Sequence, residues 1–258
     1  MKVYKSKTKN LGYLLYRLIK PIFDPIKFLQ GIYGYFWYTK DLITYKLMNP
    51  SSKLSISNLF PILDEKVSFT PFDAHYFYQQ LWVFENVLKV KPKAHVDIAS
   101  TYQMSGYLSK IVKTTFIDYR PISTNLKNLR IKKGDILNLK LKTNSVLSLS
   151  CLHVIEHIGL GRYGDPIDPL GTKKACLELS RTLARGGKLY LSAPIGKSRV
   201  CFNAHRVHTP QTILKYCKGL KLLSFSVVDD EGKFHENVDY SKYTHANYAC
   251  GMFLFTKK

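Results

Sequence analysis

The feature that most constrains the fold is the alternation of short apolar runs with helical segments between residues 94 and 195. The runs "AHVDIA", "TTFIDY", "SVLSLS" and "KLYLSAP" are extended in character, whereas "YLSKIV" and "GTKKACLELSRTL" are helical, and a Gly186–Gly187 turn precedes the last run. This β–α–β–α order is typical of a doubly wound α/β sheet. We therefore predict an α/β fold with a mostly parallel sheet that binds ligands beyond its strand ends, where the strand order reverses.

The composition indicates a folded, strongly basic protein. Of 258 residues 45% are hydrophobic, enough for one α/β domain and an appendage. The 39 Lys and Arg against 18 Asp and Glu give a net charge of +21. This excess favours contact with nucleic acid, anionic lipid or a phosphate-bearing substrate. A merely solvated basic face is the alternative.

The five cysteines indicate a reducing compartment. They are widely spaced, odd in number and without a C-x-x-C pair. Such spacing predicts neither a disulfide framework nor a zinc ribbon. No signal-peptide pattern is visible at the N-terminus. We therefore expect a cytoplasmic protein.

The first fifty residues combine basic and aromatic side chains. Nine Lys and Arg stand against two Asp there, and the longest uncharged piece, residues 28–39, is too short for the ~20 residues of a membrane-spanning helix. The pattern suits a segment lying on an anionic membrane surface. A helical arm packed on the domain, with bends at Pro21 and Pro25, is the alternative. We predict an N-terminal helical, basic-aromatic arm and linker in residues 1–57, and a second domain in residues 58–258.

Two acidic residues end the first two predicted strands. Asp118 follows the turn after Asp97 by about the ~20 residues typical of a carboxylate that binds ribose hydroxyls. A helix N-cap is the alternative for Asp118.

The motifs from residue 93 onward carry a family resemblance. "HVDIAST", "FIDYRP", "KKGDILNL" and "SVLSLSCLHVIEHI", followed by "ELSRTLARGGKLYLSAP", resemble class I S-adenosylmethionine-dependent methyltransferases. With "HIGLGRYGD" and "FNAHR", the chain is similar to a bacterial family of unknown function found among surface-polysaccharide genes. The resemblance implies a Rossmann-like methyltransferase fold and S-adenosyl-L-methionine as cofactor.

The resemblance also implies cofactor-binding roles. They fall to Asp97, Ala99 and Ser100 beside the methionine part, Asp118 at the ribose, Gly134 and Asp135 at the adenine, and Cys151 and Leu152 on the other side of the pocket. Ala99 occupies the first glycine position of the family's D-x-G-x-G-x-G turn. This departure leaves open a catalytically degenerate fold that acts as a scaffold or glycan-binding protein.

The segment "HVIEH" at residues 153–157 matches the inverted zinc-peptidase pattern H-x-x-E-H. Gly159 and Gly161 end any helix there within a turn or two, and no compelling third ligand follows. We therefore predict no metal and place the segment at the rim of a methyl-transfer site. Histidine, with an ordinary pKa near ~6.5, suits a general base. His153 and Glu156 are the first candidates and His157 the next; capping or bracing of the loop is the alternative.

Two further loops suit an acceptor. "GLGRYGDPIDP" presents Arg162, Tyr163 and Asp165, and "FNAHRVH" presents Asn203, His205 and Arg206. Aromatic faces with carboxylates and guanidinium groups are typical of carbohydrate or sugar-phosphate binding.

The leading hypothesis is therefore an O-methyltransferase acting on a carbohydrate or lipid-linked glycan in surface-polysaccharide biosynthesis, peripheral on the inner face of the cell membrane. RNA methylation ranks lower, because no base-stacking motif accompanies the charge. A zinc hydrolase ranks lower still.

Overall fold

The structure is a computed structural model that describes residues 11–258, in two compact units. The N-terminal unit extends to Pro71 and the C-terminal unit comprises Phe72–Lys258. Residues 49–57, at the end of the predicted arm and linker, belong to the N-terminal unit. The predicted division after residue 57 stays a prediction. The first ten residues of the predicted arm lie outside the described residues.

The N-terminal unit contains two α-helices. They are α1 (Leu11–Ile19) and α2 (Pro25–Met48), followed by a 3₁₀ helix at Ile56–Asn58. Asp24 caps α2, its Oδ1 accepting hydrogen bonds from the backbone N–H groups of Ile26 and Lys27 at 3.1 Å each. Pro25 occupies the first turn, where its missing N–H costs nothing. Among residues 11–258, none of the helices combines the length and apolar character needed to span a bilayer.

The C-terminal unit contains four further α-helices and ten strands. The helices are α3 (Ala74–Val90), α4 (Tyr102–Leu108), α5 (Gly171–Thr182) and α6 (Pro210–Tyr216), with a 3₁₀ helix at Tyr240–Tyr243. The strands are β1 (Ala94–Ile98), β2 (Lys113–Asp118), β3 (Leu129–Lys133), β4 (Val146–Leu152), β5 (Leu183–Ile195), β6 (Arg199–Cys201), β7 (His205–Val207), β8 (Leu220–Val228), β9 (Phe234–His235) and β10 (Ala249–Lys257).

Eight strands form one sheet in the order β3-β2-β1-β4-β5-β10-β8-β9. The first five of these are parallel, and β10 lies antiparallel between β5 and β8. The strand order reverses between β1 and β4, which creates the crevice where such sheets bind ligands. The predicted doubly wound, Rossmann-like fold with an N-terminal helical arm is confirmed.

Both faces of the sheet are covered. One cluster packs Leu179 of α5 and Ile213 of α6 against Leu191 and Phe253, and another packs Trp82 of α3 and Leu108 of α4 with Tyr190 and Met252. Successive residues of β5, Tyr190 and Leu191, face opposite layers, as the period of two in a strand requires. Burial on both faces explains the many apolar residues of β4, β5 and β10.

Two local predictions were wrong. The helix after β1 begins at Tyr102, five residues before the predicted "YLSKIV", because Thr101 caps it by accepting a hydrogen bond from the backbone N–H of Met104 at 3.4 Å. Gly186 and Gly187 lie inside β5 and do not form a turn before it. The register of β5 on β4 shifts there, and Gly186 has a φ of +72°.

Candidate cofactor and acceptor site

A cavity of about 280 Å³ lies where the strand order reverses. Its walls come from the turns after β1, β2 and β4, from the segment after β3, and from the glycine-rich loop. The carboxyl ends of parallel strands meet at one edge of a sheet, so these turns converge although they are far apart in the chain.

The turn after β1 is held by side chains on both sides. Asp97 Oδ1 accepts a hydrogen bond from the backbone N–H of Ser100 at 3.2 Å, and Ser100 Oγ accepts one from the backbone N–H of Leu152 at 3.0 Å. Ala99 takes the left-handed conformation, with a φ of +52°. Alanine therefore adopts the backbone that the family's glycine takes easily, at a cost of about 1–2 kcal/mol.

Beneath this turn runs a buried chain of hydrogen bonds. Ser150 Oγ donates to Asp97 Oδ2 at 3.0 Å, so it can only accept from His95 Nε2, 2.9 Å away. His95 Nδ1 then accepts from Ser148 Oγ at 2.8 Å. Burial lowers the pKa of His95 to about 3, and the ring is neutral at ordinary pH. Burial also raises the pKa of Asp97 to about 7, against the lowering effect of its hydrogen bonds from Ser100 and Ser150.

The turn after β2 presents Asp118 to the cavity. Asp118 Oδ1 accepts a hydrogen bond from the backbone N–H of Arg120 at 2.6 Å. The backbone N–H of Gly134 donates to the Asp118 carbonyl at 3.0 Å. A Cβ at Gly134 would lie 2.4 Å from Ile117 Cγ2, so this position takes only glycine without rearrangement.

His153 follows β4 directly but is enclosed. Its Nδ1 lies 2.8 Å from Glu156 Oε1 and its Nε2 lies 3.3 Å from Cys250 Sγ. Burial alone would lower the pKa of His153, but Cys250 and Glu156 raise it to about 10. Both ring nitrogens are engaged by buried partners. The arrangement therefore does not support the predicted role of His153 as a general base.

Glu156 is fully buried beneath this loop. Burial alone would raise its pKa, but His153 and His157 lower it. Its carboxylate is thus ionised and oriented toward His153, which makes it a buried counter-ion with no contact to the cavity.

His157 has one ring nitrogen fixed. Its Nδ1 donates to the backbone carbonyl of Ala204 at 2.6 Å, which leaves the lone pair on Nε2 in the neutral ring. Nε2 lies 3.7 Å from Glu156 Oε1. His157 lines the cavity. The "HVIEH" segment is a series of turns rather than a helix.

The glycine-rich loop is held by Arg206 and Asp165. Arg206 donates to the backbone carbonyls of Ile158 at 2.5 Å and Asp168 at 3.0 Å. Asp165 Oδ2 accepts from the backbone N–H of Gly159 at 2.6 Å. Arg206 therefore holds the loop, and its predicted contact with an acceptor stays a prediction.

Tyr163 lies between two cations at the edge of the cavity. The guanidinium carbons of Arg120 and Arg162 are 4.5 Å and 5.1 Å from its ring centroid. Arg162 also donates to the backbone carbonyl of Ala204 at 3.2 Å.

The structure brings most of the predicted site residues together. The cavity is lined by Ala99, Ser100, Asp118, Gly134, Asp135, Leu152, His153, His157, Tyr163 and Asp165. Asp97 and Cys151 are buried beneath it, and Glu156, Arg162, Asn203, His205 and Arg206 do not line it. His205 packs on Tyr248, with ring centroids 5.0 Å apart, and burial lowers its pKa to about 4.

Sequence reasoning missed several cavity residues. Tyr76 of α3 stacks on His153 with ring centroids 5.5 Å apart, and Thr101 and Arg120 also line the cavity. Arg120 could have been found, because it lies two residues beyond Asp118 in the same turn. Tyr76 carries no such signal, because a helix before the first strand is not expected at the strand ends.

The chain is similar to one protein family and to several solved structures. A family model described as "Caenorhabditis protein of unknown function, DUF268" matches residues 131–249. No curated protein matches the chain. Among solved structures, a proposed sarcosine dimethylglycine methyltransferase from Galdieria sulphuraria is 14% identical, with a TM-score of 0.51 over 70% of this chain and 86% of that one. The N-methyltransferase NodS from Bradyrhizobium japonicum WM9, in complex with S-adenosyl-L-homocysteine, is 13% identical, with a TM-score of 0.47 over 70% and 86%. At these identities, the likeness to the Galdieria protein shows the methyltransferase fold and no more.

The buried acid in the first turn predicts a pH-dependent stability. The unfolded chain loses the Asp97 proton above an ordinary pKa of 3.8, whereas the folded chain keeps it up to about 7. The contribution of Asp97 to the free energy of unfolding is therefore full below pH 4 and falls through this window, by about 1.4 kcal/mol per pH unit at most. Asp97→Asn mimics the protonated acid, so we expect its stability relative to the wild type to rise between about pH 4 and pH 7 in thermal unfolding.

The titration of other groups, including His95, affects the variant and the wild type alike. It therefore cancels in the difference between their free energies of unfolding. Ser150→Ala, which removes the hydroxyl but leaves the carboxyl, is the control for simple loss of a hydrogen bond. A stability difference for Asp97→Asn that is constant with pH would show that Asp97 is ionised in the folded protein.

Proposed function

We propose that the C-terminal unit is a methyltransferase that binds S-adenosyl-L-methionine in the cavity and methylates a hydroxyl group of a carbohydrate acceptor. The observation that carries the proposal is the convergence of Ala99, Asp118 and Gly134 on one cavity at the reversal of strand order. These are the end-of-strand positions to which the family resemblance assigns the cofactor.

The residues present fit this cofactor. Asp118 Oδ1 is oriented by the backbone N–H of Arg120 at 2.6 Å, and a carboxylate held in this way can accept the two hydroxyls of a ribose. The positive φ of Ala99 gives the turn a glycine-like path despite its side chain. When bound, S-adenosyl-L-methionine would supply an electrophilic methyl group.

The acceptor end of the cavity suits a polar ring. Tyr163 offers an aromatic face, Asp165 a carboxylate, and Arg120 a guanidinium 4.5 Å from the Tyr163 ring. Sugars pack their apolar faces on such rings and use their hydroxyls on the flanking charges. This chemistry favours a sugar or sugar phosphate, including a lipid-linked one from surface-polysaccharide biosynthesis.

His157 is the best-placed base in the cavity wall. A hydroxyl acceptor must lose a proton as the methyl group arrives. The hydrogen bond from His157 Nδ1 to Ala204 leaves Nε2 as the nitrogen that accepts it, and Glu156, 3.7 Å away, would stabilise the resulting imidazolium. We therefore move the role of base from His153 to His157.

The scaffold alternative differs from the enzyme in one measurable property. A degenerate fold would bind neither cofactor nor its demethylated product, whereas an enzyme binds both. Calorimetric titration with S-adenosyl-L-methionine and S-adenosyl-L-homocysteine therefore separates these functions directly.

Asp118→Ala should weaken the affinity for S-adenosyl-L-methionine at least about tenfold, because two charge-assisted hydrogen bonds to the ribose are lost. The matched control is Asp239→Ala, since Asp239 also accepts a turn N–H, that of Ser241 at 2.9 Å, but lies outside the cavity. Wild-type protein that shows no cofactor binding at millimolar concentration would refute the proposal.

His157→Gln should lower the rate of methyl transfer about 10²–10⁴-fold while leaving cofactor affinity unchanged, because an amide cannot take the acceptor's proton. Transfer of labelled methyl to a panel of sugars and sugar phosphates measures the rate. The control is His235→Gln, which changes a surface histidine paired with Asp229. An unchanged rate in His157→Gln would eliminate the residue as the base.

We also propose that the N-terminal unit lies on anionic membranes, on the cytoplasmic face if lipid-linked acceptors are used. The N-terminal unit leaves large apolar side chains in solvent, with Ile22, between α1 and α2, 91% exposed and Phe36 of α2 72% exposed. Basic residues such as Lys27 and Lys40 stand beside them. Apolar side chains flanked by cations bind an interface through acyl contact and head-group attraction.

The double variant Ile22→Glu, Phe36→Glu should reduce co-sedimentation with phosphatidylglycerol-containing vesicles several-fold, and wild-type binding should fall as salt rises. The control is the double variant Val200→Glu, Phe202→Glu in the C-terminal unit, which makes the same change of charge at residues that are 60% and 73% exposed. Equal binding of the wild type to neutral and anionic vesicles would contradict the electrostatic part.

A further inference from the structure

Three potential metal ligands converge beside the cavity from distant parts of the chain. They are His75 in the first turn of α3, His153 after β4, and Cys250 in β10. One ring nitrogen of each histidine and the Cys250 Sγ all lie within 4.8 Å of one another, and all three residues are buried. Within residues 11–258, this is the group of histidine, cysteine and acidic side chains whose spacing could hold an ion.

His75 has a polar atom left without a partner. The residue is 3% exposed, and among the described residues nothing is placed to hydrogen-bond its Nε2. An unsatisfied buried polar atom costs free energy, and native structures contain few of them. A buried ring nitrogen without a hydrogen-bond partner is available to bind a metal ion.

His153 is oriented for coordination through Nε2. Its Nδ1 lies 2.8 Å from Glu156 Oε1, and its Nε2 lies 3.3 Å from Cys250 Sγ. A carboxylate that accepts the second ring N–H is the usual outer partner of a metal-bound histidine, because it fixes the tautomer and raises the basicity of the ligating nitrogen.

We propose that His75, His153 and Cys250 bind a zinc ion, with Glu156 orienting His153. Ligands of a tetrahedral zinc ion stand about 3.3–3.6 Å apart, given metal–nitrogen and metal–sulfur distances near 2.0 and 2.3 Å. The His153–Cys250 separation of 3.3 Å is already close to this value, and all three ligand atoms lie within 4.8 Å of one another. The Zn²⁺ charge is balanced by the Cys250 thiolate and the Glu156 carboxylate.

The donor set selects the metal. Two imidazoles and a thiolate suit zinc and other thiophilic ions, whereas Mg²⁺ and Ca²⁺ require oxygen ligands. Three protein ligands leave one position of a tetrahedral zinc ion to a non-protein ligand, as in catalytic zinc sites. His157 is not part of the set, because its Nδ1 donates to the Ala204 carbonyl. The site therefore differs from the zinc-peptidase pairing of His153 with His157, and it goes beyond methyl transfer.

The first test is zinc binding by the full-length chain. Protein stripped with a chelator and returned to buffer should bind about one Zn²⁺ per chain in competition with a chromophoric chelator, with a Kd below a micromolar. Replacement by Co²⁺ should give a thiolate-to-cobalt charge-transfer band in the near ultraviolet together with the visible bands of a tetrahedral site.

Variants assign the ligands. Cys250→Ser and His75→Gln should each weaken zinc binding at least about 100-fold, and Cys250→Ser should abolish the charge-transfer band. Glu156→Gln, which keeps the side-chain shape, should weaken binding about 10–100-fold. The controls are Cys201→Ser and His205→Gln, a cysteine and a histidine outside the trio, and both should bind zinc like the wild type.

The proposal is overturned if the wild type binds no zinc at micromolar concentration, or if Cys250→Ser with a wild-type circular dichroism spectrum binds it equally well. Should buried variants fail to fold, the Co²⁺ spectrum of the wild type decides alone, because a spectrum without the thiolate band excludes Cys250. Cofactor affinity is measured separately, so a failure of the proposed methyltransferase activity leaves this test intact.

Discussion

The candidate site depends on the contact between β1 and β4, where the strand order of the sheet reverses. Ser150 of β4 donates to Asp97 of β1 at 3.0 Å and lies 2.9 Å from the ring of His95. Buried polar groups are stable only when they have hydrogen-bond partners. A shift of β1 along β4 would leave the Asp97 carboxyl and the His95 imidazole without partners in the core. This network therefore fixes the register of β1 on β4 and, with it, the positions of the two turns that follow these strands at the cavity.

The sequence predicts the site residues that end a strand or directly follow one. A parallel sheet brings its strand ends to one edge, so the positions of Ala99, Asp118 and Leu152 in the chain were enough to place them around one cavity. The helix α4 shows where such reasoning fails. The apolar run "YLSKIV" predicts a helix from Tyr107, but the helix begins at Tyr102 because Thr101 caps it.

The ligands of the proposed zinc site could not be predicted in this way. His75 lies in a helix before the first strand and Cys250 in β10, which inserts antiparallel between β5 and β8. Neither position has a fixed spacing to His153, because the connection depends on how the last strand enters the sheet. The "HVIEH" pattern lies in the loop that carries His153. It is typical of a helix that presents His153 and His157 on one face, and the turns here form no such helix.

His153 and His157 lie in different chemical environments of the same loop. Its backbone has a φ of +52°, a conformation that costs a histidine free energy and turns the ring away from the strand direction into the core. There the ring lies between an ionised Glu156 and Cys250, an electrostatic setting that favours a cation over a neutral group. A zinc ion bound by His153 and Cys250 would place its positive charge in this setting, next to the Glu156 carboxylate. His157, four residues later, donates from Nδ1 to Ala204 and keeps its Nε2 3.7 Å from the same Glu156 Oε1. The proposed base and the proposed zinc ligand His153 therefore share one counter-ion, so a change of Glu156 should affect both sites.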